Sequence, residues 1–368
     1  MLLLSKIILT QFKNYPFSSF RFSERVVGIC GVNGRGKTNL LDAIYYGCFT
    51  RSYFANNDNL NIQFDHDGFR LEAHFEKNTE ALKLTCINRL AGKKELLLND
   101  VPYIKFSQHI GKIPAVMVAP DDIELITGGS EERRRFMDTV LSQMDAGYLQ
   151  HLITYNKILQ QRNSLLKRFA EQGKTDWPLL EVMDEQLVEP GNQIHECRKQ
   201  FTQAMIPLVQ RFYVQIAGKE EQVTLQYQSQ LNDTDFYSLL NNCRDKDFIL
   251  QRSNGGIHKD DISIQLNGQV FKNIASQGQR KSLLFALKLA EFELLKQNKG
   301  FAPILLLDES GPICTLPFVS PRLSGSEGLH AQDFVVGRWG AGGLGPGEYP
   351  IHPLHAQGFR EIGQGNQL

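Results

Sequence analysis

Residues 25–46, RVVGICGVNGRGKTNLLDAIYY, constrain this chain more than any other stretch. Val26, Val27, Gly28, Ile29 and Cys30 form an apolar run with the length of a buried strand. Gly31-Val32-Asn33-Gly34-Arg35-Gly36-Lys37-Thr38 follows and fits G-x-x-x-x-G-K-[ST]. Leu40, Leu41, Ile44 and Tyr45 then recur at helical spacing. Strand, glycine loop and helix in that order make a phosphate site. Glycines let consecutive backbone N–H groups turn inward as an anion nest. The helix adds the positive end of its dipole. Lys37 is placed to reach the β- and γ-phosphates of a nucleotide, and Thr38 to hold Mg²⁺.

With 368 residues the chain is long enough for two or more domains. Lys+Arg and Asp+Glu are both 40, so bulk charge offers nothing to a polyanion. A nucleic-acid partner would need a local basic patch. Cys30, Cys48, Cys86, Cys197, Cys243 and Cys314 are scattered without a C-x-x-C pair. This argues against disulfides and a zinc site, and fits a reducing, cytoplasmic setting. The apolar start, MLLLSKIILTQF, is interrupted by Ser5, Lys6 and Gln11 and reads as a strand, not a signal peptide. No apolar run is long enough to span a membrane.

Strands are expected over Leu3–Leu9, Phe20–Phe22 and the run into the loop. Residues 59–106 continue in β style, with Leu71, Ala73, Phe75 and Leu82, Leu84, Cys86 alternating with their neighbours. Pro114–Pro120 reads as a short buried strand. From Glu131 to about Val214 the pattern turns helical. Tyr148, Leu152, Tyr155, Leu159 and Leu166 make one stripe, and Leu180, Met183, Leu187 and Ile194 another. Pro190-Gly191 marks a kink or break. The stripes could face a partner or DNA, but packing on each other in an antiparallel arm is the simpler reading. Arg162, Lys167, Arg168, Arg198 and Lys199 read as a solvated face. β texture returns at Val223–Tyr227 and Ile262–Leu266.

Two later stretches complete a constellation. Ser276-Gln277-Gly278-Gln279 precedes a helical pattern running through Leu283, Leu284, Leu287 and Leu289. It is either an N-capped helix with Ser276 as cap or a second anion device, serving a nucleotide held by a partner copy. Ile304-Leu305-Leu306-Leu307 is an apolar strand that ends in Asp308-Glu309, the way a buried strand delivers a carboxylate to a metal.

Taken together, these residues resemble the ABC-type ATPases of the SMC class, and among them the RecF family. The resemblance covers residues 1 to about 309. It rests on Leu9–Tyr15 (LTQFKNY), Gly31–Ala43 (GVNGRGKTNLLDA), Arg51-Ser52 and Pro120-Asp121-Asp122. It rests equally on Arg133–Asp138 (RRRFMD), Gln161–Leu166 (QRNSLL), Gly256–Asp261 (GIHKDD) and Ala275–Leu289.

The resemblance implies an α/β, ABC-type P-loop ATPase head with an inserted helical arm. It implies ATP and Mg²⁺ as cofactors, an ATP-dependent homodimer, and double-stranded and gapped DNA as partners. RecO and RecR would act with it in loading RecA. Gly31, Val32, Asn33, Gly34, Arg35, Gly36, Lys37, Thr38, Ser276 and Gly278 would bind ATP. Thr38 and Asp308 would hold the metal, and Glu309 would polarise the attacking water, although the family commonly has Asp there. A P-loop kinase of small metabolites and an SMC-like DNA-bridging factor are the alternatives. The expected divisions are a head segment at 1–125, an arm at 126–220, a second head segment at 221–310 and an atypical tail at 311–368. The tail is glycine-rich, lacks lysine, and shows neither a D-loop nor a further strand, so disorder is expected there. The abrupt change suggests a frameshifted or otherwise altered reading from about residue 309.

Overall fold

The computed structural model describes residues 1–30, 34–308, 335–338 and 360–361. The chain begins with β1 (Leu2–Phe12), β2 (Tyr15–Arg21), β3 (Val26–Cys30) and α1 (Lys37–Phe49), followed by β4 (Gly68–Lys77), β5 (Glu80–Arg89), β6 (Glu95–Leu98), β7 (Val101–Pro102) and β8 (Ala115–Val118). Its middle carries α2 (Glu124–Thr127), α3 (Ser130–Met144), α4 (Ala146–Gln172), α5 (Trp177–Ala217), β9 (Val223–Gln228), α6 (Phe236–Leu250), β10 (Asp261–Leu266), β11 (Gln269–Val270), α7 (Phe271–Ile274) and α8 (Gln277–Lys299). The last strands are β12 (Ile304–Leu307), β13 (Val335–Arg338) and β14 (Arg360–Glu361). These elements form two compact units, Met1–Asp121 with Glu291–Leu368, and Asp122–Ala290.

The first unit holds two sheets. One is antiparallel, in the order β2-β1-β4-β5-β6-β7, and the other is parallel, in the order β14-β3-β13-β12-β8. In β1 the buried residues are Leu2, Leu4, Ile7, Leu9 and Phe12. Their phase changes after Leu4, where the pairing with β4 slips by a bulge between Leu4 and Lys6. The expected alternation in β4 and β5 is present, with Leu71, Ala73, Phe75, Leu82, Leu84 and Cys86 all buried. Helix α1 packs on β1 and β4 of one sheet and on β8, β12 and β13 of the other. Every residue from Leu40 to Phe49 is buried, as expected of a helix covered on all sides. All four residues of β8 and of β12 are buried as well, the pattern of central parallel strands.

Two short segments of the tail depart from the expectation. Val335–Arg338 pairs in parallel with both β3 and β12, and Arg360–Glu361 pairs with β3. A strand thus exists after β12 where the sequence reading found none. Two adjacent valines suffice because the gap between two paired strands supplies the rest of the preference. The position expected for a D-loop and the rest of the tail lie outside the described residues.

The second unit is built on α4 and α5. Arg162 of α4 pairs with Asp184 of α5, and Tyr148 of α4 contacts Arg198 of α5, so the two helices run antiparallel. Gly173, in the left-handed region at φ 61°, ends α4, and the Asp176 side chain accepts from Leu179 N–H at the start of α5. Pro190-Gly191 does not break α5, which continues from Trp177 to Ala217. Residues 221–290, expected with the head, pack with these helices: β9 lies on α5, β10 on α3, and α6 on both α4 and α5. Val223, Leu225 and Tyr227 supply the buried face of β9, and Ile262, Ile264 and Leu266 that of β10.

Two of the arginines read as solvated are the largest fully buried side chains among the described residues. Arg162 donates to Asp184 at 2.6 Å, to Asp247 at 2.7 Å and to Ser253 Oγ at 2.8 Å. Arg198 reaches Asp138 at 2.9 Å, Asp260 at 3.0 Å and the Ile257 carbonyl at 2.7 Å. Helical spacing cannot reveal such burial, because the carboxylates that compensate it come from distant segments.

Gly191 explains how α5 and α6 approach. A Cβ at this position would stand 2.0 Å from Cε1 of the buried Phe236 ring. Gly191→Ala would gain about 1 kcal/mol in helix propensity, yet displacing a buried ring costs about 1–3 kcal/mol. We expect a net loss of stability, seen as a lower urea midpoint. A variant at least as stable as the parent chain would refute this packing.

Candidate functional site

β3 delivers the glycine loop to the end of the parallel sheet. Gly31, Val32 and Asn33 lie outside the described residues. Gly34 and Gly36 have φ of 81° and 93°, a region that costs glycine nothing and other residues strain. Gly36 caps α1 without a side-chain hydrogen bond, and the first turn of α1 carries no acid. A glycine cap leaves room at the helix start, which suits an anion. Lys37 follows, 4% exposed.

β12 ends at the same place. The Thr38 hydroxyl donates to Asp308 Oδ1 at 3.1 Å, so the two predicted metal-holding residues meet. Asp308 is 2% exposed, and its N–H donates to the Val118 carbonyl at the end of β8 at 2.8 Å. A hydroxyl and a carboxylate oxygen are a hard-donor pair that fits Mg²⁺. Glu309 lies outside the described residues.

The loop is held from behind by three consecutive residues that the sequence reading quoted without a role. Lys13, at φ 51°, begins the turn between β1 and β2 and pairs with Asp42 of α1. Asn14 donates to the Arg35 carbonyl at 3.4 Å and accepts from Asn39 Nδ2 at 2.7 Å. Its side chain fills the space where a Cβ on Gly36 would stand, 2.4 Å from Asn14 Nδ2. Tyr15 donates its hydroxyl to the Gly36 carbonyl at 2.9 Å. Burial pushes the Tyr15 phenol up to about 12, so it remains a donor.

Asp42 extends this support. It is fully buried and also accepts from Ser52 Oγ at 2.6 Å and from Tyr53 N–H at 2.7 Å. Ser52 Oγ in turn accepts from Ala55 N–H at 2.9 Å, leaving Arg51 exposed on a fixed loop. The one clue in the sequence is that Lys13-Asn14-Tyr15 stands at a strand-to-strand turn.

Ser276 and Gly278 belong to the second unit. Ser276 Oγ accepts from Gln279 N–H at 3.2 Å, and Gln279 Oε1 accepts from Ser276 N–H at 2.8 Å. This reciprocal pair is a capping box at the start of α8. Gln279 Nε2 also donates to both oxygens of Glu221 at 3.0 Å. Ser276, Gln277 and Gly278 are exposed.

Comparison with known proteins places this geometry. A family model described as an AAA domain matches residues 6–309. A DNA replication and repair protein RecF from Flavobacterium johnsoniae is 44% identical over 306 residues, 83% of this chain and 85% of that protein. Another from Cytophaga hutchinsonii is 39% identical over 306 residues, 83% of this chain and 81% of that protein. The solved structure of the recombination mediator protein RecF with ATP, in the RecFOR pathway, superposes with a TM-score of 0.82 at 27% identity, covering 92% of this chain and 91% of that one. An Smc head bound to the C-winged helix domain of ScpA shares the fold at a TM-score of 0.51 and 13% identity, covering 92% of this chain and 88% of that one. The fold is thus that of the AAA/ABC-type ATPases, with a nucleotide site. Among the described residues, no helix is long and apolar enough to cross a membrane.

The clamp behind the loop can be tested by itself. Asn14→Ala removes its hydrogen bonds to Arg35 and Asn39 and should cost about 1 kcal/mol, roughly fivefold in nucleoside triphosphate affinity by titration calorimetry. Unchanged affinity would show that the loop holds its shape without Asn14.

Proposed function

The chain belongs to the RecF family, and we propose that it is an ATP-dependent DNA-binding protein of recombinational repair and replication restart. It binds double-stranded and gapped DNA in the cytoplasm and, with RecO and RecR, assists RecA loading. The meeting of Thr38 and Asp308 beside a glycine-capped helix start is the observation that carries this reading. It joins the two halves of a nucleotide site, and the relatives that share them are named as replication and repair proteins.

In this reading the backbone from Gly31 to Gly36, with Val32, Asn33, Gly34 and Arg35 between, cradles the phosphates of ATP. Lys37 contacts the β- and γ-phosphates as a buried cation. Thr38 and Asp308 hold Mg²⁺, which when bound draws charge from the phosphate oxygens. Glu309 orients the attacking water. Ser276 and Gly278, exposed at the start of α8, contact the γ-phosphate held by a second copy in a head-to-tail dimer. ATP binding thereby drives dimerisation, and slow DNA-dependent hydrolysis releases it.

Two substitutions test separate parts of this. Lys37→Ala removes charge-assisted contacts to two phosphates, a loss of about 3 kcal/mol. ATP-dependent binding to gapped DNA should fall about a hundredfold in anisotropy titrations. Full binding in this variant would refute the phosphate assignment. Ser276→Arg should leave ATP binding by the monomer unchanged while abolishing the ATP-dependent dimer in sedimentation velocity. A normal dimer would mean that Ser276 only caps α8.

A further inference from the structure

The Gly256–Asp261 segment belongs to the second unit, which goes to some length to fix it. Arg162 and Asn163 hold Ser253, through Ser253 Oγ at 2.8 Å and Ser253 N–H at 2.8 Å. Asp247 accepts from Asn254 N–H at 2.8 Å. His258 sits between the Tyr155 hydroxyl at 2.9 Å and the Ser253 carbonyl at 3.1 Å. Arg198 bonds the Ile257 carbonyl at 2.7 Å and Asp260 at 3.0 Å. The loop between α6 and β10 is thus bound from its inner side at almost every residue.

Its outer side carries positive charge. Arg252 and Lys259 are exposed on the loop, and Lys246 is exposed on the last turns of α6. Arg134 comes in from α3 and donates to the Asp260 carbonyl at 2.7 Å, a neutral partner. None of the four makes an ion pair among the described residues, whereas Arg133, next to Arg134, pairs with Asp261 at 2.6 Å. Asp247, whose charge acts on Lys259, is engaged by Arg162 at 2.7 Å, and Asp245 stands exposed beside Lys246 on α6 without an ion pair to any of the four. Partial burial, together with Arg252, Arg134 and Lys246 nearby, holds the Lys259 ammonium below its ordinary pKa. A surface built only for stability would interleave these charges with acids. Here four like charges without an ion pair are held together on and around a fixed loop, which is the arrangement that lowers the cost of binding a polyanion.

We propose that Arg134, Lys246, Arg252 and Lys259 form a surface of the second unit that contacts the phosphate backbone of DNA. The inference rests on the DNA-binding function proposed above and supplies the local basic patch that a chain without net charge requires. The surface holds the duplex without reading its sequence. The four residues contribute charge, and the neighbouring amide of Asn254 is occupied by Asp247 at 2.9 Å and the Arg252 carbonyl at 2.8 Å.

The experiment uses the full chain with Mg²⁺-ATP and fluorescein-labelled gapped duplexes of two unrelated sequences, titrated across a salt series. The triple variant Lys246→Gln, Arg252→Gln, Lys259→Gln should bind both duplexes at least tenfold more weakly. Its log–log salt slope should be smaller by about three. ATP affinity and the urea midpoint should match the parent chain. A control, Lys167→Gln, Lys174→Gln, Lys199→Gln, neutralises exposed lysines elsewhere on the same unit and should bind DNA like the parent. Parent-like DNA binding by the first variant overturns the surface, as does an equal loss in the control. If the first variant keeps DNA but loses binding to poly-glutamate, the surface belongs to an acidic protein and the assignment to DNA fails. A parent chain that binds no DNA overturns the function proposed above together with this surface.

Discussion

A hydroxyl and a carboxylate separated by 270 positions in sequence meet at 3.1 Å, and the first unit is arranged to make that contact hold. Asp308 is almost wholly buried, where a carboxylate without partners is costly. Its position is set by β12, whose residues are all buried between β13 and β8. Thr38 is set by α1, which is wedged between the two sheets with its apolar side chains covered all round. The antiparallel sheet contributes too, because its first turn supplies Lys13, Asn14 and Tyr15 to the back of the loop. Backbone amides, hydroxyl and carboxylate therefore converge at the C-terminal ends of parallel strands, where open α/β sheets bind their ligands.

The second unit depends on a different constraint. Arg162 and Arg198 are buried on opposite stretches of an antiparallel helix pair, each between two aspartates. Burial works against the charge of Arg162, but Asp184 and Asp247 outweigh it and raise its pKa. Such pairs add little net stability over apolar residues of similar size. They penalise alternatives instead, since a slip of one helical turn between α4 and α5 would take Asp184 away from Arg162 and Tyr148 away from Arg198. The same arginines reach the loop ahead of β10, so helix register and loop shape are fixed by one set of bonds.

The phosphate loop, the acid-bearing strand and the alternating strands were legible because their signals are local: periodicity, glycine spacing and an apolar run ending in acids. What was not legible depends on distant partners. Arg162 and Arg198 looked like solvent-facing charges because Asp184, Asp247, Asp138 and Asp260 enter from other segments. Val335–Arg338 was lost in a glycine-rich stretch, since only the gap between β3 and β12 makes two valines a strand. Residues 221–290 were assigned to the head by their motif order, whereas the apolar faces of β9 and β10 belong to the helices beside them. Lys13-Asn14-Tyr15 marks kinship in the sequence, and its mechanical use shows only with the loop in place.

The strand order β14-β3-β13-β12-β8 has a consequence for how the chain is made. β3, which carries the phosphate loop, leaves the ribosome before its neighbour β13, and the whole of Asp122–Ala290 lies between them. Until then β3 has two open edges, and the whole helical unit must be translated and can collapse on itself in the interval. Parallel pairing across such long sequence separations is slow to form. A nascent chain would thus hold a folded middle between two halves of an unfinished sheet, exposing β3 and β8 as apolar strands to chaperones or to one another's copies. The nucleotide site, which looks like the most local feature of the sequence, has to wait for Asp308 until the helical unit has been made.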